Sequence, residues 1–307
     1  MLSTLKRSLK PLLLKTYNNR NNKFSKNFIN SNRASIVERN NLVTSLPGEK
    51  ILVLAPHVDD DMIGCGGAIL KYLKEGKEVH IAYLTTGQKN GRSGLNEKQI
   101  VEERKKEAFL VADCIGIPES NLHFFNSRDS ELLYTDITCE LNNILQDYQI
   151  DTIFFPSILD THIDHYATSK KLLAVFNKSQ VTVQNMTLMM YEVQSPISPL
   201  FSNTVLDITN EFKLKSKLLK YYRSQQTNFH FLPIMNRLNG LVINENRMAE
   251  VFIKTNFKSY MKFIEENFNS DDNYVNLKEN LIAHRDHRNT IDTYNNVQKF
   301  KCDLLQL

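Results

Sequence analysis

The sequence predicts an α/β fold of Rossmann-like type, a mostly parallel sheet with helices on both faces, followed by a helical C-terminal extension. Three observations carry this reading. Apolar runs of strand length recur, as at residues 51–55 (ILVLA), 79–84 (VHIAYL) and 151–157 (DTIFFPS), and they are near-continuous, as strands buried on both faces are. Stretches of helical length separate them, which is the rhythm of right-handed βαβ units. Histidines and aspartates begin where the first and third of these runs stop, and open α/β sheets place their sites at strand ends.

The chain has 307 residues, 41% of them hydrophobic and 23% charged, an ordinary globular composition with enough length for a substantial core. A net charge of +4 is too mild to argue for nucleic acid. Cys65, Cys114, Cys139 and Cys302 are scattered with no C-x-x-C pair, which disfavours structural disulfides and a cysteine zinc site and fits a reducing compartment. No apolar run approaches the roughly 20 residues of a membrane span.

Residues 1–46 differ in kind. Lys6, Arg7, Lys10, Lys15, Arg20, Lys23, Lys26 and Arg33 precede the first acidic residue, Glu38, and Leu2, Leu5, Leu9 and Leu13 can share one helical face. This start resembles a mitochondrial transit peptide; a disordered Asn-rich basic tail explains it equally, leaving a mitochondrial or a cytoplasmic location open. Pro47-Gly48 marks the linker into a domain over residues 47–253.

After the first strand, Gly64, Gly66 and Gly67 read as a close-packed loop before a helix at 68–76. They lack the third glycine of a dinucleotide fingerprint, which disfavours a nucleotide-dependent oxidoreductase. The second strand leads through Thr85-Thr86-Gly87 into a polar loop at 88–96 and a helix at 97–115 that ends on Gly116. A strand at 121–125, a helix at 137–148, the strand at 151–157 and a helix at 166–177 follow, then strands at 186–193, 205–208 and 247–253. A basic helix at 211–224 presents Lys213, Lys215, Lys217 and Lys220 as a solvated face. Residues 254–307 read as polar and helical, with no legible role.

The chemistry concentrates at two strand exits. His57, Asp59, Asp60 and Asp61 follow the first strand, and His162, Asp164 and His165 follow the run at 151–157 in the spacing H-x-D-H. Adjacent carboxylates beside an apolar strand repel one another unless a cation or hydrogen bonds offset the cost. A loop of solvated aspartates is the bland alternative. Two such exits facing one crevice suit a borderline-soft divalent metal such as zinc. A second H-x-D-H at His284, Asp286 and His287 has no buried strand leading into it and reads as a surface helix. His80 and His123 lie among apolar strand residues and read as core or edge histidines, and Arg104 with Glu107 reads most simply as an i,i+3 helix pair.

These motifs resemble the LmbE/PIG-L family of metal-dependent de-N-acetylases. Its A-H-P-D-D-E matches Pro56-His57-Val58-Asp59-Asp60-Asp61, and its H-x-D-H matches His162-Ile163-Asp164-His165; weaker matches run in order through Thr86-Gly87, Arg104-x-x-Glu107, Asp129, Tyr191-Glu192, Asp207-Ile208-Thr209, Ser224-Gln225 and Ala249-Glu250. The resemblance implies that His57, Asp60 and His165 hold the metal, zinc or another divalent ion, and that Asp59 is the general base. It further implies that His162, oriented and kept protonated by Asp164, stabilises the oxyanion, that Arg104 contacts substrate, and that Asp129, otherwise a turn residue, binds sugar hydroxyls. The implied activity is removal of the N-acetyl group from an N-acetylglucosaminyl conjugate, a small-molecule substrate. A non-catalytic carbohydrate-binding protein retaining the fold is the alternative. Val58 stands where the family has proline and Asp61 where it has glutamate, which affects support of the site more than its identity.

Overall fold

The apolar runs become strands of one sheet in the computed structural model of the protein, which describes residues 16, 19–20, 23–89, 94–178, 186–197, 199–225, 229 and 231–268. The strands are β1 (Asn41–Val43), β2 (Lys50–Ala55), β3 (Glu78–Thr85), β4 (Leu122–Ser127), β5 (Thr152–Pro156), β6 (Thr187–Tyr191), β7 (Thr204–Asp207) and β8 (Ala249–Asn256). Their order across the eight-stranded sheet is β1-β7-β8-β6-β5-β2-β3-β4. All neighbours pair in parallel except β8, which runs antiparallel to both β6 and β7.

Two-sided burial explains why the strands read as continuous apolar runs. Leu52, Leu54, Ile153 and Phe155 pack into one core layer, while Ile51, Val53, Ala55 and Phe154 pack into the other. Alternate side chains of one strand thus fill opposite layers. The order also locates the site. From β2 the chain moves outward through β3 and β4, then returns to place β5 on the other side of β2. The register Val53↔Phe154 brings the C-terminal ends of β2 and β5 to the same edge, and the reversal of direction between them opens a crevice there.

The helices are α1 (Arg33–Arg39), α2 (Asp60–Lys74), α3 (Glu97–Ile115), α4 (Thr138–Asp147), α5 (Ile163–Lys178), α6 (Phe212–Leu218), α7 (Phe231–Gly240) and α8 (Phe257–Asn267). Helix α3 begins in a reciprocal capping box between Asn96 and Gln99 and ends at Gly116, whose φ of 81° lies in the left-handed region that glycine tolerates.

Several elements depart from the sequence reading. Helix α2 starts at Asp60, so Gly64, Gly66 and Gly67 lie within it rather than in a preceding loop. Close approach is still their purpose: a Cβ at Gly64 would sit 2.1 Å from the Tyr191 ring, and one at Gly67 would sit 2.4 Å from Ile208. The basic helix is shorter than expected, with a 3-10 turn at Leu219–Tyr221, and Lys215 is fully buried while Lys213, Lys217 and Lys220 are exposed. The N-terminal segment contributes to the domain: Ile29 and Ile36 are buried in the core, and β1 pairs with β7 through three residues, a strand too short to leave a periodic signal. Helix α8 buries Tyr260, Phe263 and Ile264 in the same core, so residues 257–267 extend the layer over α5. The second H-x-D-H at His284, Asp286 and His287 lies outside the described residues.

Candidate active site

Strand β2 delivers His57 and Asp59 through a tight turn. The turn closes with the His57 backbone N–H donating to Asp60 Oδ2 at 2.8 Å and the Ile63 N–H donating to the Asp59 carbonyl at 2.9 Å. Asp59 has φ 123°, a conformation costly for any residue but glycine, and such strain collects at functional positions. Strand β5 delivers the second exit. Asp160 lies just beyond it, accepting the His162 backbone N–H at 3.0 Å on one carboxylate oxygen and those of Gln194 and Ser195 at 2.9 and 3.2 Å on the other. Asp164 and His165 then fall in the first turn of α5.

The two exits converge. Asp60 Oδ2 is 3.0 Å from His57 Nδ1 and 3.2 Å from His165 Nε2, so one carboxylate oxygen lies between imidazoles that are 108 positions apart in the numbering, 165 against 57. The His162 ring centroid is 4.6 Å from that of His57 and 5.0 Å from that of His165. Each of the three histidines offers a nitrogen, and these nitrogens lie within 4.8 Å of one another.

Burial opposes protonation of His57, but hydrogen bonds to Asp164 and Asp60 outweigh it and raise its pKa to about 9. His165 is likewise raised, because Asp160 and Asp60 overcome its burial. The carboxyls of Asp60, Asp160 and Asp164 are held below the usual range: burial pushes them up, and the facing imidazoles more than reverse it. Asp59 is pushed up by burial and by the neighbouring Asp60 charge, which outweigh the opposing pull of His57 and Arg104. Buried carboxylates here therefore require positive charge beside them. Both ring nitrogens of His165 are buried without a hydrogen bond, although Asp60 and Asp160 lie 3.2 and 3.0 Å away. Orphaned imidazole nitrogens beside carboxylate oxygens are the donor set of a borderline-soft divalent cation, and the residues fit one.

The expectation that Asp164 keeps His162 protonated does not hold in this geometry. Asp164 Oδ2 is 3.2 Å from His57 Nε2 but 3.8 Å from His162 Nδ1, so its charge serves His57. Burial, with His165 and His57 close by, pushes the His162 pKa down to about 4. What Asp164 gives His162 is its backbone N–H, donated to Nδ1 at 3.2 Å, which leaves the proton of the neutral ring on Nε2.

A cavity of about 510 Å³ opens on this cluster and is lined by His57, Asp59, Asp60 and His162. Arg104 and Asp129 also line it. Arg104 Nη2 donates to the Lys89 carbonyl and to Gln225 Oε1, each at 3.1 Å, while Glu107 accepts from the Ser224 N–H and hydroxyl at 2.7 and 2.6 Å. The expected Arg104–Glu107 helix pair is thus replaced by separate partners. Asp129 takes the backbone N–H groups of Gly87 and Lys89, both at 2.8 Å, and so tethers the loop at the cavity rim. Asp61 faces away, accepting from the Tyr83 hydroxyl at 3.3 Å; burial and then Asp60 raise its pKa to about 7.

Asp160 is not legible as a site residue from the sequence. Its signal was its place in D-T-H-I-D-H immediately after a buried strand, but its partner, His165, becomes visible only when the helix turns. Gln225, a weak match in the sequence, lines the cavity and donates to the Val58 carbonyl at 2.7 Å.

Both motifs fall inside a stretch that is similar to known proteins. Residues 52–176, which contain both motifs, match the family described as PIG-L: GlcNAc-PI de-N-acetylase. The chain is 27% identical over 122 residues to the diacetylchitobiose deacetylase of Thermococcus kodakarensis, a match spanning 38% of this chain and 45%, less than half, of that protein. It is 25% identical over 187 residues to a Bacillus subtilis protein named probable N-acetyl-alpha-D-glucosaminyl L-malate deacetylase 2, covering 58% and 83% of the two chains. The structure of N,N'-diacetylchitobiose deacetylase from Pyrococcus horikoshii, complexed with its inhibitor MPG, superposes with a TM-score of 0.61 at 26% identity, covering 69% of this chain and 86% of that one. With a matching sheet, both histidine-bearing motifs and relatives named as deacetylases, residues 52–176 are similar to the PIG-L (LmbE-like) family of de-N-acetylases.

Proposed function

We propose that the protein is a zinc-dependent hydrolase that removes the acetyl group from an N-acetylglucosaminyl conjugate. One observation carries the reading: Asp60 lies between His57 and His165 on the wall of a cavity that also holds Asp59 and His162. The relatives named for diacetylchitobiose and for an N-acetylglucosaminyl malate support the sugar class.

His57, Asp60 and His165 are the residues that hold the cation, and when bound there it supplies Lewis acidity that makes water nucleophilic at neutral pH. Asp59, with its carboxyl raised by burial, takes a proton from the attacking water. Attack on the acetyl carbonyl carbon turns its oxygen into an oxyanion, and His162 donates its Nε2 proton there as a hydrogen bond. The C–N bond then breaks, Asp59 returns the proton to the departing amine, and acetate and the free amino sugar result. Asp164 orients both histidines, His57 through its side chain and His162 through its backbone. Arg104 and Asp129 shape the far wall, the first as a substrate contact and the second through the loop it holds as well as sugar hydroxyls.

Purified protein is expected to release acetate from N-acetylglucosamine derivatives, and Asp59→Ala to abolish release while retaining zinc. Turnover that survives this substitution removes the proposed base, and sugar binding without product favours a carbohydrate-binding protein instead. Among the described residues no helix is long and apolar enough to cross a membrane. The mitochondrial and cytoplasmic readings are separated by a fluorescent fusion of residues 1–45, a diffuse signal assigning the cytoplasm.

A further inference from the structure

Helix α2 is two helical pieces. Cys65, at φ −138° and ψ 23°, breaks the hydrogen-bonded spiral between the turn that carries Asp60 and the longer piece that packs on the sheet. A break inside a helix exposes carbonyls on one side and N–H groups on the other, and when buried they need partners. Two charged side chains from distant elements supply them. Lys215 Nζ, from α6, donates to the Ile63 carbonyl at 2.8 Å, where the first piece ends. Glu250, from β8, accepts the Gly67 N–H on Oε1 at 2.7 Å and the Ala68 N–H on Oε2 at 2.9 Å, where the second piece begins. The two side chains join each other at 2.7 Å and are 0% and 1% exposed. The glycines admit them: a Cβ at Gly67 would lie 3.0 Å from Glu250 Oε1, and one at Gly66 would lie 3.3 Å from Lys215 Cγ.

We infer that the buried Lys215–Glu250 pair is a positioning device for the active site, holding residues 59–63 as a separate turn that aims Asp59 and Asp60 into the cavity. Ile63 is the mechanical link. Its carbonyl is held by Lys215, its N–H closes on the strained Asp59, and its side chain lines the cavity. Were α2 continuous, the segment bearing Asp59 and Asp60 would have to rotate with the rest of the helix, and the contact of Asp60 with both histidines would move with it. A buried pair that only fills space can be replaced by neutral side chains without local consequence. A positioning pair cannot.

The test compares the full-length wild type with Lys215→Met/Glu250→Gln, which removes both charges and keeps an amide oxygen for one N–H. In the metal-free proteins, hydrogen exchange at residues 57–63 is expected to quicken by about 10-fold or more while the amides of β3 and β5 keep their protection. Zinc affinity, measured by competition with a chromophoric chelator, is expected to fall by about 10-fold or more, as when the support of a ligand is removed. A folded double variant with unchanged exchange at 57–63 and unchanged zinc affinity overturns the inference. If the double variant fails to fold, Lys215→Met alone, which leaves Glu250 its two backbone donors, is read by the same two measurements with the same criteria. The zinc arm rests on the deacetylase reading and the exchange arm does not. A wild type that binds no zinc therefore sinks that reading, while exchange still decides the role of the pair.

Discussion

Two histidine clusters lie at opposite ends of the sheet's strands, and they differ in what surrounds the imidazoles. At the C-terminal ends, His57, His162 and His165 stand among the buried carboxylates Asp59, Asp60, Asp160 and Asp164, and His57 and His162 face a cavity. Near the N-terminal ends, His80 and His123 stack with ring centroids 5.4 Å apart, Tyr148 lies 4.1 Å from His80, and the carboxylate that faces His80, Glu78, is 42% exposed. In the first cluster carboxylates overcome burial and raise His57 to about 9. In the second, burial and the neighbouring His80 push His123 down to about 4. The difference teaches that buried anionic partners and access, not the number of histidines, distinguish a cation site from a packed aromatic cluster.

The sharpest way to break this contrast is to remove a ligand from one cluster and its counterpart from the other. His165→Ala is expected to lose stoichiometric zinc and all measurable acetate release, whereas His80→Phe leaves zinc content unchanged; metal analysis of both purified variants decides. Next in size, Asp59→Asn is expected to cost about 10²- to 10⁴-fold in kcat with zinc retained, the range for loss of a general base. His162→Ala is expected to lower kcat by about 10²- to 10³-fold with a smaller effect on zinc, as for one oxyanion donor; loss of zinc equal to that of His165→Ala would make it a ligand instead.

Asp160→Asn should weaken zinc binding by about 10- to 100-fold, since it removes a carboxylate facing His165 without removing a ligand, and chelator competition measures this. The smallest effect belongs to the other cluster. The folded-state pKa of His123, about 4, lies below its ordinary value of 6.5, so the unfolded chain takes up the proton first. The cluster's contribution to stability is then fully present above about 6.5 and is lost as pH falls toward about 4. Urea unfolding at about pH 7 and about pH 5 should show a smaller acid loss in His123→Gln than in the wild type, with deacetylation untouched. Equal losses would mean that His123 is not the titrating group.

By itself the sequence determined the strands other than β1, their mostly parallel stacking and the two exits where chemistry collects. Apolar runs, glycine stops and motif spacings are properties of neighbouring residues, and neighbours are visible in a linear chain. The limits of α3 could be read in the same way, because its caps lie within three residues of its ends. Tertiary structure alone decided who partners each charge. Asp164 turns its carboxylate to His57 rather than to His162 two positions away; Asp160 faces His165; Lys215, spaced like its solvated neighbours, is drawn inside by a broken helix and by Glu250 from another strand. Charge acts through space, and in a doubly wound sheet the nearest opposite charge is set by strand order rather than by distance along the chain.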